Sequence, residues 1–202
     1  MRAVILGNGK INDYAKTAEM IRPDDYIICA DGGYNHTERL GISADLIIGD
    51  FDSIKHLPEG IEKVKYPVRK DLTDGELALL EAEKRNPERI LMLGFCGDRA
   101  DHMLTNILML AEHTRASMAD EKNEIFALTD RVEINGKCGK TLSIIPIKGD
   151  IDGITTEGLE YPLFDESLRF GKSRGVSNVI ISDKCVISRK NGIGIIVIND
   201  GE

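Results

Sequence analysis

Short apolar runs alternate with longer amphipathic segments along the first 130 residues. The runs are three to five residues long and rich in β-branched side chains, which is typical of buried strands; they are residues 2–6, 26–30, 46–48, 64–66, 90–93 and 125–128. Helical patterns lie between them, at residues 13–21, 34–40 and 103–112 and from residue 73 to the Asn86-Pro87 pair. Strands that alternate with helices predict a mostly parallel sheet with covered faces.

After about residue 130 the helical periodicity ends. Short β-rich runs punctuated by Gly, Asn and Asp replace it, at residues 131–134, 141–147, 151–155, 176–181, 185–188 and 193–198. This pattern is typical of a small antiparallel sandwich or barrel. We therefore predict an α/β domain over residues 1–130 and a β-sandwich domain over residues 131–202.

The composition is that of an ordinary globular protein, with 42% hydrophobic and 30% charged residues. A formal net charge of −8 argues against a nucleic-acid surface, which needs a basic patch. The apolar runs are shorter than a membrane span or a signal peptide requires. The four cysteines stand far apart without metal-ligand spacing, so reduced thiols are expected. We therefore expect a cytoplasmic protein that binds neither nucleic acid nor membrane.

The clearest candidate chemistry is the segment Gly49-Asp50-Phe51-Asp52, directly after the apolar run 46–48. Side chains two residues apart in an extended chain point to the same side, so Asp50 and Asp52 form a carboxylate pair at a strand exit. Carboxylate oxygens are the ligands that Mg²⁺ prefers. The alternative is a plain surface turn, because Asp and Gly are common turn residues.

Other polar residues also follow apolar runs. Gly7 and Gly9 close the first run, where they could cradle a phosphate, although without a third glycine the pattern favours a plain strand–turn–helix. Asp31 follows the second run beside Gly32 and Gly33, which let the backbone approach a ligand. In a parallel sheet, ligands bind beyond the carboxyl ends of the strands, so these positions point to one site.

Two helix starts add further candidates. Thr73 and Glu76 match a capping box, which predicts that a helix begins at Thr73 with Asp74 in its first turn. The helix dipole favours a carboxylate there in any case, and the same N-terminus can hold a phosphate. Arg99 and Asp101 precede the last helix of the α/β part: the guanidinium could clamp phosphate oxygens and the carboxylate could orient or deprotonate a hydroxyl. The alternative is a surface ion pair beside a helix cap.

Taken together, these stretches resemble the thiamine pyrophosphokinase family. The matching segments occur in the family's order and at similar spacing over nearly the whole chain; they are Asp31-Gly32-Gly33-Tyr34-Asn35, Gly49-Asp50-Phe51-Asp52-Ser53, the segment from Asp71 to Leu79, Gly97-Asp98-Arg99-Ala100-Asp101-His102, Gly158-Leu159-x-Tyr161-Pro162-Leu163 and Gly175-Val176-Ser177-Asn178. The resemblance implies transfer of pyrophosphate from ATP to the hydroxyl of thiamine, with release of AMP. It also implies a homodimer that binds thiamine between its subunits.

The resemblance also implies roles for individual residues. Asp50, Asp52 and Asp74 would hold Mg²⁺, and these three with Arg99 and Asp101 would form the catalytic set. The nucleotide and phosphate pocket would contain Asp31, Gly32, Asn35, Lys70, Asp71, Thr73, Arg99, Asp101 and His102. Ser177 and Asn178 would contact thiamine from the sandwich domain of the neighbouring subunit. Apart from the resemblance, a carboxylate within hydrogen-bond reach of the thiamine hydroxyl would accept its proton, and Asp101 and Asp71 are the candidates.

Two departures and three alternatives accompany this interpretation. The chain has no Trp, which family members often place beside thiamine, and Lys70 stands where some relatives carry Gln. A pyrophosphokinase for another alcohol, such as a hydroxymethyl pterin, is one alternative. A haloacid-dehalogenase-like phosphohydrolase with Asp50 as nucleophile and Asp52 as acid is another, although Ser53 follows Asp52 and no cap insertion is evident. A non-catalytic nucleotide or thiamine sensor is the third.

Overall fold

The computed structural model describes residues 1–67, 71–97 and 99–200. The chain divides into two compact units. The first contains Met1–Met109 and Arg115–Glu121, and the second contains Leu110–Thr114 and Lys122–Glu202. A strand at Asn123–Leu128 therefore belongs to the second unit, whereas the change in sequence pattern comes at about residue 130.

The described residues of the first unit form a parallel sheet. Its strands are β1 (Arg2–Leu6), β2 (Tyr26–Ala30), β3 (Leu46–Gly49), β4 (Glu62–Lys65), β5 (Arg89–Leu93) and β6 (Ala116–Ala119). They lie in the order β6-β5-β1-β2-β3-β4, and each pairing is parallel. Strand β6 was not predicted, since the segment Ala-Ser-Met-Ala lacks the β-branched residues that are typical of a strand.

The helices of this unit are α1 (Tyr14–Glu19), a 3-10 helix (Asp31–His36), α2 (Thr37–Leu40), α3 (Asp74–Lys84) and α4 (Ala100–Met109). The hydroxyl of Thr73 accepts a hydrogen bond from the backbone N–H of Glu76 at 3.1 Å, which confirms the predicted cap of α3. The helix predicted over residues 34–40 differs, because a 3-10 helix begins already at Asp31 and only its continuation is α-helical. Helix α4 begins and ends three residues earlier than the pattern indicated.

Both faces of the parallel sheet are covered. One face packs its side chains, such as Leu6, Cys29 and Ile47, in an apolar cluster with residues of α1 and α2. Helix α3 packs against β1, β2 and β3 and buries Leu77 and Leu79. This burial explains why the strands are continuous apolar runs rather than alternating ones.

The second unit consists of antiparallel strands, as predicted. They are β7 (Asn123–Leu128), β8 (Arg131–Asn135), β9 (Thr141–Pro146), β10 (Ile151–Glu157), β11 (Glu166–Leu168), β12 (Asn178–Val179), β13 (Lys184–Ser188) and β14 (Gly194–Asn199). Strands β12-β9-β14-β7 lie side by side, and β11-β10-β13-β8 form a second sheet. Both contribute to one apolar core, for example Ile144 and Ile196 from the first group and Ile154 and Ile187 from the second. The predicted fold class, α/β followed by a small β-sandwich, is confirmed.

No helix among the described residues has both the length and the apolar character that crossing a membrane requires. All four cysteines are free thiols. Cys29 and Cys185 are buried, and burial raises the pKa of the Cys29 thiol to about 12. This thiol is therefore protonated near neutral pH and contributes to packing rather than to chemistry.

Candidate active site

Four strands of the parallel sheet end beside one another, and each is followed by residues that could bind a ligand or take part in catalysis. Strand β1 runs into the segment of residues 7–10, which we call the glycine loop; β2 runs into Asp31, β3 into Asp50 and β5 into Gly94. The registers align the strand ends, since Leu6 lies opposite both Cys29 and Leu93. The carboxyl edge of the sheet therefore gathers these loops, as the sequence predicted.

Three carboxylates meet at this edge. One ligand oxygen each of Asp31, Asp50 and Asp52 lies within 4.8 Å of the other two. Asp52 is exposed, Asp50 is partly buried and Asp31 is only 8% exposed. Two ligands of one Mg²⁺ are at most about 4.2 Å apart, so a small contraction would let all three bind the same ion.

Asp31 is the unusual member of this cluster. Its Oδ1 is buried and has no hydrogen-bond partner among the described residues. Its backbone adopts a φ of 44°, which is rare for a residue other than glycine. A buried carboxylate oxygen without a donor is costly unless a cation or donor compensates it. The donor set and this orphaned oxygen therefore fit a divalent cation such as Mg²⁺.

Asp74 adjoins the cluster through Gly49. A β-carbon built on Gly49 would lie 2.9 Å from the β-carbon of Asp31 and 3.2 Å from Oδ1 of Asp74. Glycine is thus what allows these two aspartates to approach the end of β3. The family resemblance implied Asp50, Asp52 and Asp74 as metal ligands. Among the described residues, the three whose oxygens come within 4.8 Å of one another are Asp31, Asp50 and Asp52, and Asp74 lies beside them.

The loop that carries Asp50 and Asp52 is held in shape by hydrogen bonds. The backbone N–H of Asp52 donates to Oδ1 of Asp50 at 3.1 Å, and the Ser53 hydroxyl donates to Oδ1 of Asp52 at 2.8 Å. Asn35 uses both ends of its amide here: Nδ2 donates to the carbonyl of Ser53 at 2.9 Å, and Oδ1 accepts from the N–H of Lys55 at 3.2 Å. Asn35, which was predicted to bind nucleotide, therefore supports the acidic loop.

A cavity of about 430 Å³ opens beside the acidic cluster within the first unit. Its lining includes Asp31, Thr73, Asp74, Arg99 and His102 from the predicted set. It also includes residues that the sequence analysis did not single out as ligands, namely Asn8, Lys10, Phe95 and Asn106. A volume of this size suits a small-molecule ligand, and its mixture of acidic and basic groups suits a phosphate ester with its cation.

The missed residues carried weak signals in the sequence. Lys10 directly follows the Gly7-x-Gly9 pattern, a position from which a cation reaches a phosphate held by the loop. Asn106 is a polar residue on the apolar side of α4, where it is only 7% exposed and donates to the carbonyl of Phe95 at 3.4 Å. A polar residue within the mostly apolar run of residues 103–110 was the sequence feature that could have revealed it.

Arg99 and Asp101 form an ion pair at the edge of the cavity. Nε of Arg99 lies 2.9 Å from Oδ1 of Asp101, and NH2 lies 2.6 Å from Oδ2, in a bidentate arrangement. Hydrogen bonding to Arg99 holds the pKa of Asp101 well below its usual range and raises that of the arginine. Both side chains are about two-thirds exposed, so the pair is available to an incoming anion.

The remaining predicted residues are distributed as follows. Gly32 is buried, and a β-carbon on it would lie 2.4 Å from the side chain of Asn8, so it brings the glycine loop close to the 3-10 helix. Asp71 is exposed just before the cap of α3. Lys70 lies outside the described residues.

The predicted thiamine contacts, Ser177 and Asn178, lie in the second unit. Asn178 is engaged with its neighbours: Nδ2 donates to the carbonyl of Tyr161 at 2.7 Å, while Oδ1 accepts from the N–H groups of Tyr161 and Val179. Ser177 has a φ of 60°, and its N–H donates to the Ser143 hydroxyl at 3.0 Å. These bonds give the segment a defined shape, with the Ser177 side chain exposed.

Comparison with known proteins adds the following. A family model described as "Thiamin pyrophosphokinase, catalytic domain" matches residues 17–127, and one described as "Thiamin pyrophosphokinase, vitamin B1 binding domain" matches residues 129–193. Thiamine pyrophosphokinase from Bacillus subtilis is 32% identical over 161 residues, which cover 74% of this chain and 75% of the relative.

Solved structures agree with these sequence matches. The crystal structure of the thiamine pyrophosphokinase from Bacillus subtilis superimposes with a TM-score of 0.89 at 26% identity and covers 100% of both chains. That of the thiamin pyrophosphokinase from Geobacillus thermodenitrificans gives a TM-score of 0.88 at 23% identity, over 98% of this chain and 97% of the other. Because its identity is only 23%, the Geobacillus thermodenitrificans structure supports a shared fold and nothing more.

Proposed function

Because the chain belongs to the thiamine pyrophosphokinase family, we propose that it transfers the pyrophosphoryl group of ATP to the hydroxyl of thiamine, giving thiamine diphosphate and AMP. The observation that carries this proposal is the match of both halves of the chain to the family's two domains. The match to a vitamin B1 binding domain favours thiamine over a pterin or another alcohol. The same matches argue against a phosphohydrolase that uses Asp50 as a nucleophile.

We propose that Mg²⁺ binds at the acidic cluster. Asp31, Asp50 and Asp52 offer oxygens within reach of one ion, and Asp74 adjoins them. The orphaned Oδ1 of Asp31 supports a cation there, since an unpaired buried carboxylate oxygen gains most from one. When bound, the ion would neutralise charge on the transferred phosphates. Asp31 was assigned to the nucleotide pocket from sequence, and in this proposal it serves the metal as well.

The side chains around the cavity would position the triphosphate and balance its charge. Phosphoryl-type transfer depends on alignment and charge neutralisation more than on covalent catalysis. Arg99 would offer its guanidinium to phosphate oxygens, with Asp101 fixing its orientation through the bidentate pair. Lys10, Asn106 and His102 line the same space and would complete the nucleotide site. The ATP site thus takes in more residues than the sequence predicted.

We propose Asp71 rather than Asp101 as the acceptor of the thiamine proton. A general base works best when its pKa lies near the working pH. The bond from Arg99 lowers the pKa of Asp101 and leaves it a weak base. Asp71 is exposed and lies three residues before the start of α3, whose first turn carries Asp74 beside the acidic cluster.

Residues 131–202 would bind thiamine and form the dimer. Ser177 and Asn178 remain the proposed thiamine contacts, as the family resemblance implies. This unit also exposes three large aromatic side chains, Tyr161, Phe164 and Phe170, each more than half exposed. Such side chains suit an interface or a stacking position and would replace the Trp that this chain lacks. We accordingly propose a cytoplasmic homodimer with thiamine bound between its subunits.

The decisive experiment is incubation of the protein with ATP, MgCl₂ and thiamine, followed by chromatography of the products. We expect thiamine diphosphate and AMP in equal amounts and no reaction when EDTA replaces MgCl₂. Release of inorganic phosphate from ATP or a phosphoester without a thiamine product would contradict the proposal. Tight thiamine binding with no AMP formed would indicate a sensor instead.

A further inference from the structure

Both ring nitrogens of His36 are engaged within the first unit. Nδ1 lies 2.7 Å from the hydroxyl oxygen of Tyr14, and Nε2 lies 3.0 Å from the carbonyl oxygen of Gly9. His36 is the last residue of the 3-10 helix that begins at Asp31, and Tyr14 is the first residue of α1. One partly buried side chain thus joins the 3-10 helix, α1 and the glycine loop.

These contacts specify which ring nitrogen of His36 carries the hydrogen. The carbonyl of Gly9 can only accept, so Nε2 must donate to it. In the neutral ring Nδ1 is then an acceptor, and the Tyr14 hydroxyl donates to it. Burial lowers the pKa of His36, which favours this neutral form, and the nearby Arg39 charge acts in the same direction while the bond to Gly9 opposes it.

Tyr14 is itself fixed in place. The guanidinium carbon of Arg39 lies 3.6 Å from the centre of the Tyr14 ring, a cation–π contact. The His36 and Tyr14 rings meet at 5.7 Å between centroids with an interplanar angle of 51°. The Tyr14 hydroxyl is therefore held in position to donate to Nδ1 of His36, and the Nε2–H of His36 is held in position to donate to the Gly9 carbonyl.

Gly9 belongs to the wall of the cavity. Gly7, Asn8, Gly9 and Lys10 all line it, together with Asp31. The backbone N–H of Gly9 donates to the carbonyl of Gly94 at 2.9 Å, so Gly94 holds one side of the residue. The bond from His36 to the Gly9 carbonyl holds the other, directly before the cationic side chain of Lys10.

We propose that His36, supported by Tyr14, is a positioning residue that holds the glycine loop where the ATP phosphates contact it. This inference rests on the proposed function, because it takes ATP as the ligand of the cavity. A loop that contacts the nucleotide equally in the ground state and in the transition state affects binding of both. Loss of the anchor therefore raises KM for ATP and leaves kcat nearly unchanged.

The kinetic test uses three variants and a matched control. His36→Leu removes both hydrogen bonds and is expected to raise KM for ATP about tenfold, and Tyr14→Phe about threefold. In His36→Gln the amide nitrogen can still reach the Gly9 carbonyl, so its KM is expected within about threefold of wild type. His56→Gln, at an exposed histidine outside the cavity lining, is expected to match wild type. In all variants kcat stays within about twofold.

Two kinetic results would overturn the proposal. A wild-type KM for ATP in His36→Leu would show that the anchor does not matter to the nucleotide. A rise in KM that His36→Gln fails to reverse, accompanied by a lower Tm in both variants, would reduce His36 to a structural residue. Thermal denaturation of each variant therefore accompanies the kinetics.

Nitrogen-15 NMR of the histidine rings tests the anchor without relying on activity. We expect the Nε2–H tautomer for His36 in the wild-type protein near pH 7. The Nδ1–H tautomer would break the proposed bond to Gly9 and overturn the inference. If the wild-type enzyme forms no thiamine diphosphate, the proposed function fails, whereas the ring spectrum still decides whether His36 holds the loop.

Discussion

Gly49 stands against Asp31, so closely that a β-carbon on the glycine would lie 2.9 Å from the β-carbon of the aspartate. The same added atom would lie 3.2 Å from Oδ1 of Asp74. Gly49 has a φ of 147°, in a region that other residues rarely adopt. The end of β3 thus depends on glycine for two reasons, the close approach of an aspartate and the backbone conformation.

Substitution Gly49→Ala should therefore damage both the fold and the site. Backbone strain and the contact with Asp31 are expected to cost about 1–3 kcal/mol of the free energy of unfolding. Displacement of Asp31 should also lower kcat by about tenfold or more. Urea denaturation and steady-state assays measure the two effects. Gly60→Ala is the control, because an added β-carbon there has open space while the backbone also has a positive φ. If Gly49→Ala and Gly60→Ala lost the same stability and activity, the result would argue against the contact between residue 49 and Asp31.

Asp31→Asn separates stability from metal binding. The substitution keeps the shape of the side chain but removes its charge, so Mg²⁺ affinity and kcat should fall about a hundredfold. Without metal, the variant should be as stable as wild type or more stable, because a buried oxygen without a donor no longer carries charge. Thermal denaturation with and without MgCl₂ measures this. If Mg²⁺ raised the Tm of Asp31→Asn as much as it raises the Tm of the wild-type protein, Asp31 would be excluded as a ligand.

Asp50→Asn and Asp52→Asn should each lower kcat by about a hundredfold or more, as loss of a metal ligand does, with the fold intact. Asp74→Asn should have a similar effect if it joins the same ion. Assays at saturating Mg²⁺ and circular dichroism spectra measure activity and fold. Asp45→Asn offers a control aspartate outside the acidic cluster. Turnover at the wild-type rate in the Asp50 or Asp52 variant would count against the metal site.

Substitutions of Arg99 and of Asp101 should lower kcat/KM for ATP to different extents. Arg99→Gln should lower kcat/KM for ATP about a hundredfold, because we propose that the guanidinium binds the phosphates. Asp101→Asn should lower kcat/KM about tenfold or less, since in our proposal the carboxylate orients Arg99 through their hydrogen bonds. Its pKa is lowered, so Asp101 is ionised at every pH above about 5 and contributes no acidic limb to the pH–rate profile there. A profile whose acidic limb disappears in Asp101→Asn would instead identify Asp101 as the base.

The buried pair of Arg2 and Asp25 should govern acid stability. The Asp25 side chain is 1% exposed, and Arg2 contacts it at 2.5 Å. Burial alone would raise the pKa of Asp25, but hydrogen bonds from Arg2 and from the Arg22 N–H lower it on balance. The folded-state pKa thus lies below the unfolded value, so this stabilisation is present above about pH 4 and is lost as the pH falls through the folded-state pKa.

Asp25→Asn should accordingly lower the free energy of unfolding by about 3 kcal/mol at pH 7, since it leaves Arg2 partly buried without its charge partner. The difference from wild type should shrink as the pH drops below 4. Urea denaturation between pH 3 and pH 7 measures both. Asp24→Asn, at the exposed neighbouring position, is the matched control. A difference that stays constant with pH would contradict the assigned role.

The sequence by itself determined the fold class and most of the strands. Continuous β-branched runs are typical of strands that are buried on both faces, and these runs form strands of the parallel sheet. The helix cap at Thr73 could also be predicted, because it depends on a few neighbouring residues, and it is present. Strand β6 could not be predicted in this way, because its pairing with the distant strand β5 decides it rather than local composition.

The tertiary structure decided which acidic residues lie together. Asp50 and Asp52 are neighbours in the chain, and their pairing was evident from spacing alone. Asp31 joins them only because β2 lies beside β3 in the sheet and Gly49 leaves room for it. The contact between His36 and Gly9 likewise spans 27 residues and carries no local signature. Periodicity reports which face of an element is buried, whereas the packing of distant elements sets which polar atoms meet.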